Sequence, residues 1–412
     1  MRLAAFIALL CGAISCTGYC QDKGAATTVA MPQVKRVMQQ YVDNSKVAGV
    51  VTMVSHRGNI VFFDAVGNAH TEAKLPMKKD TIFRIYSMSK PITSVAAMIL
   101  VEQGKLKLDE PISTYLPAMK NVQVFVSNEG DEIKSVPAER APTVRDLMRH
   151  TSGLTYGLFT TTAVDGMYLL KGVMSRKQDL AQMVQKLGQL PLLYQPGTKF
   201  NYSLSTDVLG HIVEVVSEQK LDEFFTKQIF EPLKMVDTGF HVPAEKKSRL
   251  AAVYSPTLVG GLSVMDAPET SDFLKKPNWL SGGGGLVSTA TDYMRFCQML
   301  LRDGELDGVR ILKSDTIREM TKDQLPVPAF PIGIGGGTRP GVGFGLGFNV
   351  IVKKAGNPSN LRIGEYGWGG AASTHFWISD ADDLAVVVLT QRMPYTGQME
   401  EALKPVIYDA ID

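Results

Sequence analysis

Apolar positions recur with two periods in this chain, and the period changes along it. Residues 32–44 place Val34, Val37, Met38 and Tyr41 on one helical face, with Pro32 suited to a first turn. Residues 50–55 and 60–66 are rich in β-branched and aromatic side chains and are separated by Arg57-Gly58-Asn59, which predicts a hairpin. Near the other end, residues 375–379 and 384–390 repeat that pattern across Asp380-Ala381-Asp382-Asp383. Residues 399–411 read as a helix, although Pro405 interrupts the pattern. The middle of the chain reads differently, with helices at 144–149, 178–187, 206–217 and 221–228 joined by Pro- and Gly-rich turns.

Strands at both ends with helices between predict one discontinuous α/β domain, residues 30–86 plus 275–412, carrying an inserted, mainly helical domain at 87–274. Residues 256–285 and 326–347 are rich in Gly and Pro and read as long loops near a site. No internal repeat, low-complexity tract or coiled coil is present.

The N-terminus adds a destination. Met1-Arg2 is followed by an apolar run, residues 3–14, too short to span a bilayer as a helix. Small and polar residues come next, so residues 1–20 read as a signal peptide, cleaved after Ser15 or nearer Cys20. The expectation is export to the bacterial periplasm or beyond. A lipoprotein linkage at Cys16 is the weaker reading, because Ala13 stands where a Leu is usual. Cys297 lies in an apolar helical run and reads as a buried thiol; a lone cysteine in the body excludes a disulfide framework. A formal net charge of +2 with no long charged run gives no footprint for nucleic acid or an anionic membrane.

Several chemistries are missing. There is no Gly-x-Ser-x-Gly elbow, no nucleotide loop, and no His-Glu-x-x-His or paired cysteine ligand set. The expectation is therefore a site with no metal and no cofactor. Gly282-Gly283-Gly284-Gly285 lacks the lysine and spacing of a phosphate loop and reads as a turn allowing close backbone approach.

Ser87-Met88-Ser89-Lys90, followed by Pro91, is the candidate for chemistry. At the start of a helix, positions i and i+3 share a face, so the Lys90 amine can reach the Ser87 hydroxyl. A buried amine there suits a base, and the free N–H groups of a first turn suit an oxyanion. Alone the motif is weak. About one or two Ser-x-x-Lys matches arise by chance in a chain of this composition, and a second occurs at Ser217-Glu218-Gln219-Lys220, read as surface. Taken alone, Ser87 fits a helix cap equally well.

The surrounding residues resolve this. The segment 83–117, with FRIYSMSKPITS and GKLKLDEPISTYLP, resembles the serine β-lactamase and penicillin-binding-protein-like superfamily. Within it, the class C-like branch and its family VIII carboxylesterases are the most similar. Residues 147–154 (LMRHTSGL), 196–203 (PGTKFNYS), 230–240 (FEPLKMVDTGF), 283–289 and 343–348 match further blocks in order, so the resemblance spans roughly residues 35–400. It implies an α+β, class C β-lactamase-like fold, an antiparallel sheet flanked by helices with an inserted helical domain.

The resemblance also implies roles. Ser87 is the nucleophile, Lys90 its partner, and Tyr202 the phenol that moves a proton between Ser87 and the leaving group. The N–H groups of Ser87 and Ala371 form the oxyanion hole. His150, in the His-Thr-Ser-Gly block, is structural, and His375 follows the Trp-Gly-Gly strand. Two departures matter. Leu204 stands where β-lactamases have an amide-binding Asn, and Trp368 replaces the cation of the third motif, here Trp368-Gly369-Gly370. Leu204, Trp368, Gly369 and Gly370 are thus expected to bind the acyl or alcohol part of a neutral ester. The implied activity is a carboxylesterase cleaving short-chain carboxylic esters through an acyl-enzyme, with weak β-lactam hydrolysis as a side activity. The alternatives are a β-lactamase or D-Ala-D-Ala peptidase, an acyltransferase, and a non-catalytic peptidoglycan- or partner-binding protein. The expected partner is a small-molecule ester, with no nucleic acid and no membrane span; oligomeric state is left open.

Overall fold

The computed structural model describes residues 31–129, 132–335, 337–353 and 361–412. The signal-peptide reading and Cys16 lie outside the described residues. Among the described residues, no helix is long and apolar enough to cross a membrane.

The main sheet has eight antiparallel strands drawn from both parts of the chain. Their order is Val342–Phe344, Asn349–Ile351, Tyr366–Gly370, Thr374–Ser379, Leu384–Leu389, Gly49–His56, Asn59–His70 and Leu75–Pro76. The expected hairpins are both present, and the two chain ends meet where Val51 pairs with Leu389 and Val54 with Val386. The central strand Leu384–Leu389 is an unbroken apolar run because both of its faces are covered. Val386 and Val388 pack into a layer with Val34 and Met38 of helix Pro32–Asp43 and Leu403 and Ile407 of helix Gln398–Ile411. Ala385, Val387 and Leu389 turn the other way, into the large core shared with Phe296 and Met294 of helix Ala290–Leu301. The C-terminal helix runs through Pro405 rather than ending there.

Helices Ser89–Glu102, Val144–Met148, Leu180–Leu187, Ser205–Ser217 and Leu221–Phe225 fill the middle of the chain, as the periodicity predicts. Two parts of the expectation need correction. The middle also carries two hairpins, Gln123–Glu129 with Glu132–Pro137 and Val253–Pro256 with Leu262–Asp266. The second lies partly inside a stretch read as loop, and Val342–Phe344, also read as loop, is the edge strand of the main sheet. Val342–Phe344, three residues with a central glycine, is too short to show a period of two.

Candidate active site

Ser87 sits where the sheet side of the molecule meets a helix that is buried along most of its length. Short strand Phe83–Arg84 pairs with Val287–Ser288, and the chain turns through Tyr86–Met88 into helix Ser89–Glu102. Tyr86 holds the left-handed region at φ +42°, a conformation that costs energy for a bulky residue, immediately before Ser87, which lines the cavity. Arg84, fully buried and paired with Asp266 at 2.8 Å, anchors the approach. Pro91 lies within the first helical turn and disturbs no helical hydrogen bond.

The three residues named from the motifs converge. The Tyr202 hydroxyl is 2.7 Å from Ser87 Oγ, and Lys90 Nζ is 3.3 Å from it. Lys90 is 1% exposed; its amine donates to the Gly283 carbonyl at 2.6 Å and lies 4.6 Å from the centre of the Tyr202 ring. The four-glycine turn thus supplies a backbone acceptor to the lysine. The second Ser-x-x-Lys straddles the end of helix Ser205–Ser217, where Glu218 takes a left-handed turn.

Tyr202 is held on both sides by the His150 segment. Asn201 N–H donates to the His150 carbonyl at 2.8 Å, and Ser203 N–H donates to His150 Nδ1 at 3.3 Å. The imidazole packs 4.8 Å from the Tyr202 ring. Burial, then the Lys90 charge, hold His150 well below the usual histidine range, so it stays neutral. It orients the phenol and does not reach Ser87.

Two further groups were not evident from the sequence. Tyr156 accepts from Lys90 Nζ at 3.4 Å; burial, then the Asp207 and Tyr202 charges, push its phenol well up, so it stays protonated. Asp207, fully buried, accepts from Ser281 Oγ at 2.5 Å and Gly283 N–H at 3.3 Å. Burial raises its carboxyl, opposed by the Lys90 charge and those two hydrogen bonds. Asp207 therefore grips the N–H of Gly283, the residue whose carbonyl receives Lys90. Only tertiary contact brings either residue here; Tyr156 follows the His-Thr-Ser-Gly block by a few residues, and Asp207 follows Tyr202, but neither forms a motif.

A cavity of about 260 Å³ opens over Ser87. Tyr202, Phe159, Trp368, Gly369, Gly370 and Ala371 line it, with Ile334, Arg339, Met393, Pro394 and Tyr395 completing the wall. The strand edge approaches closely because Gly370 has no side chain: a Cβ there would lie 2.2 Å from the Ile85 carbonyl oxygen. Trp368 packs 5.5 Å from Tyr202 and 5.1 Å from Phe344, forming a wall. Leu204 is not in this wall, which corrects the expectation. It is fully buried in the main core at the N-terminal boundary of helix Ser205–Ser217. His375 also turns away from the cavity, bonded to the Thr396 carbonyl at 3.1 Å and to Glu400 at 3.1 Å. Cys297 is buried, and burial pushes its thiol well up, consistent with an inert packing role.

An antiparallel sheet flanked by helices, with a serine, a buried lysine and a tyrosine meeting beneath one cavity, defines the β-lactamase-fold class of serine hydrolases. A family model described as Beta-lactamase matches residues 34–406, and the chain belongs to that family. It is similar to Protein Rv1367c of Mycobacterium tuberculosis, 35% identical over 370 residues covering 87% of this chain and 89% of that protein. Esterase EstB of Burkholderia gladioli is 30% identical over 397 residues, 90% of this chain and 93% of that protein. Among solved structures, EstCE1, described as a hydrolase with promiscuous acyltransferase activity, superposes with a TM-score of 0.78 and 29% identity, covering 92% of this chain and 98% of its own.

Proposed function

We propose that this protein is a carboxylesterase that cleaves short-chain esters through an acyl-enzyme on Ser87. The observation that carries the reading is the convergence of the Tyr202 hydroxyl and the Lys90 amine on one serine oxygen, at 2.7 Å and 3.3 Å. The Lys90–Tyr202 pair takes the Ser87 proton as its oxygen attacks the ester carbon, and the proton passes through Tyr202 to the departing alkoxide. The N–H groups of Ser87 and Ala371, both on the cavity wall, receive the developing oxyanion. Water, activated by the same pair, then attacks the acyl carbon and frees Ser87.

The wall supports ester over β-lactam. Trp368 occupies the strand position where a cation serves β-lactamases, and Phe159, Ile334 and Met393 extend the apolar lining. The similarity to a protein named an esterase agrees with this. Acyl transfer to an alcohol is the second reading, favoured by the EstCE1 description; it uses the same acyl-enzyme with an alcohol in place of water. The test is turnover of p-nitrophenyl butyrate beside nitrocefin, by the native enzyme and Ser87→Ala. The expected result is faster ester turnover that Ser87→Ala abolishes. Faster nitrocefin turnover, or an active Ser87→Ala enzyme, overturns the reading.

A further inference from the structure

The cavity over Ser87 holds a charge that no motif announced. Its lining is apolar apart from Ser87, the phenols and one guanidinium, that of Arg339. Arg339 is half-buried, and among the described residues no carboxylate lies within ion-pair distance of it. Three other covered arginines are paired, Arg84 with Asp266, Arg145 with Asp109 and Glu319, and Arg149 with Asp146, whereas Arg392 donates to the Pro394 carbonyl at 3.2 Å. Arg339 shares a hydrogen bond with the Tyr395 phenol, but that partner carries no charge to balance the guanidinium, so an anionic ligand in the cavity would gain from it.

The acidic groups nearest this part of the site are engaged elsewhere. Arg339 also borders a narrow polar cavity beneath Trp368 that contains Glu365, Glu400 and Lys404. Lys404 Nζ lies 2.6 Å from Glu365 and 2.8 Å from Glu400, His375 takes the other oxygen of Glu400 at 3.1 Å, and Tyr408 donates to Glu365. Those carboxylates lie beyond ion-pair distance of Arg339. Arg339 lines the space over Ser87 as well.

Arg339 is also held in place. Its N–H donates to the Ile332 carbonyl at 2.9 Å, its carbonyl accepts from Val342 N–H at 3.1 Å, and Ile332 N–H donates to the Val342 carbonyl at 3.1 Å. The loop is thereby tied to the edge strand Val342–Phe344. A pinned backbone presenting a planar, five-donor fork suits bidentate recognition of an oxyanion.

We infer that the natural ester carries a carboxylate beyond the scissile carbonyl and that Arg339 receives it. The cation missing at position 368 is thus supplied from a different loop, on the wall beside Ile334. This rests on the esterase reading and narrows it from short esters in general to half-esters of dicarboxylic acids and esters of hydroxy-acids.

The test compares kcat/KM for p-nitrophenyl hemiglutarate with its methyl-capped diester, and for 4-butyryloxybenzoate with 4-butyryloxybenzamide, so that the charge is placed first on the acyl side and then on the alcohol side. The native enzyme is expected to prefer the charged member of one pair by about ten-fold or more, mostly through KM. Arg339→Gln should erase that preference, and Arg339→Glu should reverse it; a misfolded variant would lower both members alike and leave the ratio standing. Turnover of both neutral esters with no preference in either pair overturns the Arg339 assignment and leaves the esterase reading intact. Turnover of none of the four overturns both.

Discussion

The Tyr202 hydroxyl lies 2.7 Å from Ser87 Oγ although 115 residues separate them in the chain. Neither side chain reaches the other by local structure. Helix Ser89–Glu102 packs against helix Ser205–Ser217, and the segment just before each helix delivers one of the two oxygens.

If the phenol moves the proton, its removal should slow chemistry and spare binding. Tyr202→Phe keeps the ring that packs against His150 and Trp368 and removes only the hydroxyl. Ester kcat is expected to fall by about 10²–10⁴-fold with KM little changed. Steady-state kinetics on p-nitrophenyl butyrate decide it; unchanged kcat removes Tyr202 from the proton path.

Asp207 acts through Gly283. Ser281 and Gly283 both donate to one oxygen of Asp207, so Asn at this position keeps that acceptor but loses the charge that interacts with Lys90. Asp207→Asn is expected to lower kcat by about 10- to 100-fold, the scale of one charge-assisted hydrogen bond. KM should move little, because Asp207 is absent from the cavity wall. A change confined to KM contradicts this role.

Leu204 belongs to the core. Leu204→Ala should destabilise the fold by about 2–5 kcal/mol, read from urea unfolding, while KM for a short ester stays near the native value. A KM change at native stability would return Leu204 to the substrate wall.

Asp146 makes the fold acid-sensitive. Burial alone would raise its carboxyl, but Arg140, the Thr143 N–H, Arg149 and Thr151 together bring it down to about 2. A depressed folded value gives stability that is present above the ordinary carboxylate range and is lost as pH falls toward the folded value. Asp146→Asn should therefore cost about 2 kcal/mol near neutral pH, and that cost should shrink as pH falls from about 4 to about 2. Urea unfolding across that window checks it; a cost independent of pH rules out the charge as its origin.

Much of the layout could be read from residue patterns. The alternating and continuous apolar runs at the two chain ends are the strands that share one sheet, because a strand covered on both faces must be apolar throughout. Ser87, Lys90 and Tyr202 lie in recognisable blocks, and the structure brings them together. What was hidden depends on direction and tertiary contact. Leu204 lies two residues past Tyr202, but the chain turns there into a helix, so the side chain enters the core. Arg339 lies in a Gly- and Pro-rich stretch with no periodicity, and only the fold of that loop onto the sheet edge places its guanidinium beside the site.

The acyl-enzyme itself is the most direct test of the account. The protein would be treated with a fluorophosphonate or another serine-directed acylating agent, digested, and its peptides sequenced by mass spectrometry. The account predicts a single adduct on Ser87, lost in Ser87→Ala. An adduct on another residue, or ester turnover that continues while Ser87 remains unmodified and saturating reagent is present, would contradict it.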